Sequence, residues 1–369
     1  MSTGFVWHER CMWHDPGPVS GVTPAVGAFQ PGIFVENAET KRRLKNLLDA
    51  YDVTPQLKSL DVDPASDEML LRFHTAPYLE KVAELSSGVG GDAGETALVG
   101  PGSDGIARLS AGGVFSAVRA VMTGEVNNAY SLCRPPGHHA ERDQGRGFCL
   151  YNNIGVAILE AQAQKLVERV AVVDWDVHHG NGTQQAFYDN PDVLTISLHQ
   201  EMLYPVNLGT LAEQGEGAGI GFNINVPLPA GCGGGAYQHA MDEVVEPALR
   251  RFKPDLIVVA CGYDAAYFDP LSHMLLISTH FRSMTQQVMR LADELCGGRL
   301  AFSHEGGYSE FYVPFCGAAV IETLAGINSA IEDPYEGTAG VANQALMAHQ
   351  REAVEAAVAG PLESLLQSL

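Results

Sequence analysis

The chain has 369 residues, 46% of them apolar, enough for one large α/β domain or two ordinary ones with a sizeable core. Acidic residues outnumber basic ones by 44 to 22, for a formal charge of −22; such a surface repels phosphate backbones and argues against direct nucleic-acid binding. The same excess reads either as a well-solvated exterior or as adaptation to high salt, and composition does not separate the two.

In chain order, the Pro-broken opening Met1 to Pro31 is expected to pack as loop structure, and Met1 to Arg10 lacks the basic and apolar segments of a secretory signal. The Gly-rich stretch Ser86 to Gly105 reads as a long functional loop. A helix is predicted over Ile106 to Thr123, then a strand over Ala129 to Cys133, a helix over Asn152 to Glu168 and strands over Val170 to Val177 and Val193 to Leu198. A second Gly-rich loop, Gly215 to Gly221, precedes a helix over Ala236 to Phe252, a strand over Leu256 to Cys261, a helix over Thr279 to Leu295 and a strand over Arg299 to Ser303. The strand runs are short, β-branched and bounded by turn residues, as strands buried on both faces are. Alternating strands and helices predict an open, mostly parallel, doubly wound α/β sheet, and no composition break divides residues 1–369 into more than one domain. No apolar run of about 20 residues exists to span a bilayer. The seven scattered cysteines show no C-x-x-C pair, which together with the missing signal points to reduced thiols and a cytoplasmic setting.

The polar motifs all follow strands. Pro135-Pro136-Gly137-His138-His139 follows the first, Asp174, Asp176 and His178 end the second, and His199 follows the third. Asp264 follows the fourth, and Glu305-Gly306-Gly307-Tyr308 the fifth. Ligands bind outside the carboxyl ends of strands in open α/β sheets, so the topology predicts one convergent site.

In an extended chain, residues two apart point the same way, which lets Asp176 and His178 share one cation. Adding Asp264 gives one nitrogen and two oxygen ligands with a position left open, the plan of a catalytic zinc site. His138 and His139 could themselves be ligands, but with three supplied elsewhere they fit better as acid and base toward a metal-bound water. Tyr308, on a Gly-Gly turn, is a candidate donor to a developing oxyanion.

With Gly147-Phe148-Cys149, Gly180-Asn181-Gly182-Thr183 and Ser197-Leu198-His199 added, these motifs resemble the class II histone deacetylases, and most of all the bacterial histone deacetylase-like amidohydrolases. The likeness runs from Val6-Trp7 to about Ile321. It implies the arginase/deacetylase fold, an eight-stranded parallel sheet with helices on both faces, and zinc held by Asp176, His178 and Asp264. It implies that His138 and His139 are the tandem catalytic histidines, that Asp174 orients His138 and that Tyr308 polarises the carbonyl. Asn181 stands where class I members place a second Asp, which leaves His139 without a charged partner and should lower its pKa. The family's potassium ions would match Asp174, Asp176, His178, Ser197 and Leu198 at one site, and Phe187, Asn190, Val193 and Phe222 at a second. Gly147, Phe148, Tyr204 and Leu271 match the substrate channel, and Asp92 matches a carboxylate at its rim.

The activity so implied is hydrolysis of the acetyl amide of lysine side chains in proteins or peptides. An acetylpolyamine hydrolase of the same chemistry is the alternative, and small acylated amines are its substrates. Polyamine-specific relatives carry Glu where Asp269-Pro270-Leu271 has Leu271, which favours acyl-lysine. A two-metal arginase needs carboxylates where Gly180 and Ala266 stand, and a non-enzymatic acetyl-lysine reader would lack Tyr308. Neither nucleic acid nor membrane is an expected partner, and self-association into a homo-oligomer stays open.

Overall fold

The structure is a computed structural model and describes residues 2–340 and 344–369. Its centre is an eight-stranded sheet, with β1 (Thr3–Trp7), β2 (Lys58–Ser59), β3 (Asn128–Leu132), β4 (Val170–Asp174), β5 (Val193–Gln200), β6 (Asn223–Leu228), β7 (Leu256–Cys261) and β8 (Leu300–His304). The spatial order is β6-β5-β4-β7-β8-β3-β1-β2, and every pairing is parallel.

Alternate residues of the central strands enter two separate cores, which explains their unbroken apolar runs. Ala171 and Val173 of β4 face a core with helices α1 (Glu39–Ala50), α4 (Ser278–Cys296) and α5 (Val313–Ala325). Val170 and Val172 face the core built with α2 (Ser103–Met122) and α3 (Asn153–Ala163). Each fully buried Val or Ile contributes about 1.5–3 kcal/mol, so both faces must be covered for the sheet to persist. Local signals set the helix ends: the Asn152 side chain accepts from the Gly155 amide to start α3, and left-handed Gly297 ends α4.

The winding direction reverses around β4. The chain runs outward through β5 and β6, then returns as β7 on the other side of β4. The segments leaving β3, β4, β7 and β8 therefore share one edge of the sheet, as expected for ligand binding at such a reversal.

The structure corrects several expectations. The opening is not wholly loop: Thr3–Trp7 is an interior strand between β2 and β3. Strand β4 stops at Asp174, three residues short of the predicted end. Helix α3 ends at Ala163, and the chain turns through Lys165 in left-handed backbone. The helix predicted from Ala236 begins at Gly234 and carries a π-turn at Met241–Val245. No helix among the described residues is long and apolar enough to cross a membrane.

Candidate active site

Past Asp174 the chain bends instead of continuing extended, so Asp176 and His178 meet by a route other than strand alternation. Asp176 Oδ1 accepts from the His178 amide at 2.9 Å and lies 3.2 Å from His178 Nδ1. Asp264 Oδ1 accepts from the Val177 amide at 2.8 Å, which leaves Oδ2 3.0 Å from the same Nδ1. Gly306 donates to Asp176 Oδ2 at 2.8 Å, and a Cβ there would sit 2.2 Å from Asp264 Oδ2; only glycine fits. Ligand atoms of Asp176, His178 and Asp264 all lie within 4.8 Å of one another, the sole such cluster among the described residues. Both carboxylates are fully buried, and among the described residues no Lys or Arg pairs with either. Uncompensated charge so deep is costly, and this donor set fits a divalent cation. Carboxylates for a second metal are missing where expected, since Gly180 and Ala266 occupy those positions.

The tandem histidines stand beside this cluster with ring centroids 4.0 Å apart. His138 Nδ1 lies 3.0 Å from Asp174 Oδ2. Burial pulls the His138 imidazole down, but Asp176 and Asp174 outweigh it and hold it up at about 10. A cation between the carboxylates would remove part of that lift. His139 Nδ1 lies 2.8 Å from Asn181 Oδ1. The amide's orientation is fixed, because Asn181 Nδ2 donates to His139 O and to Glu141 Oε1. Nδ1 of His139 must then carry the proton, leaving Nε2 as the acceptor. Burial, then the neighbouring His138 and His178, hold His139 well below the usual range, so it is neutral at pH 7.

His139 and His178 form the floor of a cavity of about 250 Å³, walled by Val22, Thr96, Gly147, Phe148, Leu203, Tyr204, Leu271 and Tyr308. Gly147 and Phe148 are both left-handed, at φ 48° and 71°, a conformation that costs a non-glycine residue about 1–2 kcal/mol. Two amide bonds to the 92–97 loop offset this: Gly147 N donates to Glu95 O and Phe148 N to Thr96 O. The ring of Phe148 meets Tyr308 edge-on at 5.7 Å, and Tyr204 stands perpendicular to His139 at 5.0 Å. Burial, then Asp264 and Asp176, push the Tyr308 phenol well above its usual range, so it remains an O–H donor.

Other predicted residues fall around this centre. Asp92 does not line the cavity; its carboxylate accepts from the Gly94, Thr96 and Ala97 amides and so closes its own loop. Ser197 pairs in register with Asp174 across β4 and β5, next to Leu198. Phe187, Asn190, Val193 and Phe222 meet where the chain enters β5: Asn190 N donates to Phe187 O, Val193 N to Asn190 O and Thr195 N to Phe222 O. Sequence reasoning gave no part to Val22, Thr96 or Leu203, which reach the cavity from irregular loops. A larger depression of about 750 Å³ opens at the amino-terminal edge of the sheet; Asn190 lines it, and none of the metal-cluster or tandem-histidine residues does.

An arginase/deacetylase-like α/β fold with a buried acid–imidazole cluster, two histidines and a phenol at its carboxyl edge defines the class, a hydrolase acting on amides. The histone deacetylase domain matches residues 35–324, and the chain belongs to that family. It is 51% identical over 335 residues to the histone deacetylase-like amidohydrolase of Pseudomonas aeruginosa, covering 90% of this chain and 88% of that one. Histone deacetylase 8 of Arabidopsis thaliana is 36% identical over 328 residues, 86% of each chain. The crystal structure of the HDA15 HD domain superposes with a TM-score of 0.86 at 32% identity, over 100% of this chain and 99% of that one.

Proposed function

We propose that the chain is a zinc-dependent deacetylase of acylated lysine side chains in proteins or peptides. The observation that carries this reading is that His139, His178 and Tyr308 line one largely apolar cavity together. Bound by Asp176, His178 and Asp264, zinc would polarise the substrate carbonyl and acidify a water. His139 lines the cavity and presents an unprotonated Nε2, suited to take the proton of the attacking water and return it to the leaving amine. His138 backs it, oriented by Asp174. Tyr308 donates to the carbonyl oxygen as charge develops there. Phe148, Tyr204 and Leu271 exclude water along the lysine stem, whose methylenes match their apolar surface. Potassium ions at the Asp174–Leu198 and Phe187–Phe222 positions belong to the same proposal and rest on the resemblance; a cytoplasmic setting belongs to it too and rests on the scattered cysteines and the opening residues.

Turnover of acetyl-lysine peptide and acetylputrescine, measured side by side, tests the substrate class; preference for the polyamine would overturn it. Leu271 gives the reading a second test. A distal ammonium entering beside this apolar wall loses hydration and gains no partner. Leu271→Glu should therefore raise acetylputrescine turnover relative to peptide by about tenfold, or ~1.4 kcal/mol, with the gain shrinking as salt rises. An unchanged ratio would remove Leu271 from specificity.

A further inference from the structure

Glu305 opens the motif that ends in Tyr308, yet it neither lines the cavity nor belongs to the metal cluster. It is fully buried and pairs with no Lys or Arg among the described residues. Its charge is met by dipoles. Ser303 Oγ donates to Oε1 at 2.7 Å, while the Gly137 and His138 amides donate to Oε2 at 2.7 and 3.0 Å.

Those two amides belong to the tandem-histidine loop. Pro135 and Pro136 carry no N–H, so Gly137 offers the first backbone donor after Arg134. Glu305 takes that donor and the next. The His138 carbonyl is held from the opposite side by the Gly182 and Thr183 amides at 3.0 and 3.1 Å, and the His138 ring by Asp174. On the other flank of Glu305, the Gly306 amide binds Asp176 at 2.8 Å, and two residues later Tyr308 enters the cavity. One short segment thus touches the histidine loop, the metal cluster and the phenol. Glu305 is its link to the histidines.

We propose that Glu305 is a positioning residue that holds the tandem-histidine loop in register with the Tyr308 turn, so that turnover depends on its acceptor oxygen and not on its charge. The proposal rests on the roles given above to His139 and Tyr308. Acid–base groups displaced by about 1 Å lose on the order of 10²-fold in rate.

The test compares Glu305→Ala, Glu305→Gln and Ser303→Ala with the wild type as purified metal-loaded enzymes. It uses whichever of acetyl-lysine peptide and acetylputrescine the wild type turns over faster. If that amide is the polyamine, the lysine reading fails while the role of Glu305 is still measured. Glu305→Ala should lower kcat by about 10²-fold with KM within about threefold and zinc content unchanged. Glu305→Gln keeps an oxygen for the Gly137 and His138 amides and turns its NH₂ toward the Ser303 hydroxyl, which can accept. It should recover to within about tenfold of wild type. Ser303→Ala, which frees Oε1, should cost about three- to tenfold in kcat and keeps the proposal testable if Glu305→Ala fails to fold. A Gln variant as impaired as Ala would assign the effect to charge and overturn the proposal. So would losses confined to KM or metal content, or full kcat in both Glu305→Ala and Ser303→Ala.

Discussion

Tyr308→Phe should lower kcat on an acetyl-lysine peptide by about 10²–10³-fold, the usual loss when one oxyanion donor is removed. The substitution deletes a single oxygen. The ring keeps its edge-on contact with Phe148, and the backbone amide still donates to Asp269 Oδ2 at 2.8 Å, so the turn that carries it should not move. The phenol is held protonated by its surroundings, which makes it a donor throughout the working pH range. Its contribution grows as negative charge develops on the carbonyl oxygen, so kcat should fall while KM changes little. Zinc content and Tm should match the wild type. Near-normal turnover by a folded, zinc-loaded variant would remove Tyr308 from the mechanism.

What the sequence disclosed about the site follows from how each side chain is held. His138, His139, Asp176, His178 and Asp264 were legible because their chemistry lies in side chains placed just after apolar strands. Asp176 and His178 were paired for an inexact reason, since the bend after Asp174 and the bond between their own amide and carboxylate bring them together. The Asn181 amide oxygen meets His139 Nδ1, and what holds this imidazole low is burial, then His138 and His178, rather than the Asn181 contact. Glu305 and Asp269 stood in recognised motifs without a role. Apart from the Ser303 hydroxyl, their partners are backbone amides up to 168 positions away, and a backbone donor leaves no trace in residue identity. The Asp92 carboxylate, matched to the rim, is held by amides of its own turn, the loop that also carries Thr96 to the cavity. The fold class was legible from the central strands because both their faces are buried. The margins were not: β2 has only two residues, and Asn223 and Asn225 interrupt the apolar pattern of β6. β1 was hidden by the irregular, Pro-rich segment that follows it.

Removing the metal should abolish activity, and one equivalent of zinc per chain should restore it. The reasoning starts from charge: Asp176 and Asp264 are buried together, and the nearest cations available to them are imidazoles. Without a bound cation, burial and then Asp176 push the Asp264 carboxyl up to about 6. A carboxyl whose folded pKa lies above its unfolded value of about 3.9 favours folding in acid and loses that contribution as pH rises toward 6. His178 differs in sign. Burial pulls its imidazole down, but Asp264 and Asp176 outweigh it and hold it at about 10, so its contribution is complete below the unfolded value of about 6.5 and is lost progressively as pH rises from there to about 10. Zinc held here would take the ionised carboxylate and the neutral imidazole, so protons would compete with it at both groups. The Tm gained on adding zinc to chelated protein should therefore be largest above pH 7 and shrink as pH falls below about 6, where Asp264 is reprotonated. Asp264→Asn removes one anion and should bind zinc far more weakly, with activity returning only at high zinc concentration. Metal analysis, activity recovery and thermal scans at several pH values check these outcomes together. Two bridged transition metals per chain, or full activity in chelated protein, would defeat the single-zinc assignment. A zinc-induced Tm gain that stays constant from pH 5 to 8 would show that protons do not compete with zinc at these groups and would count against the ligand set as a whole.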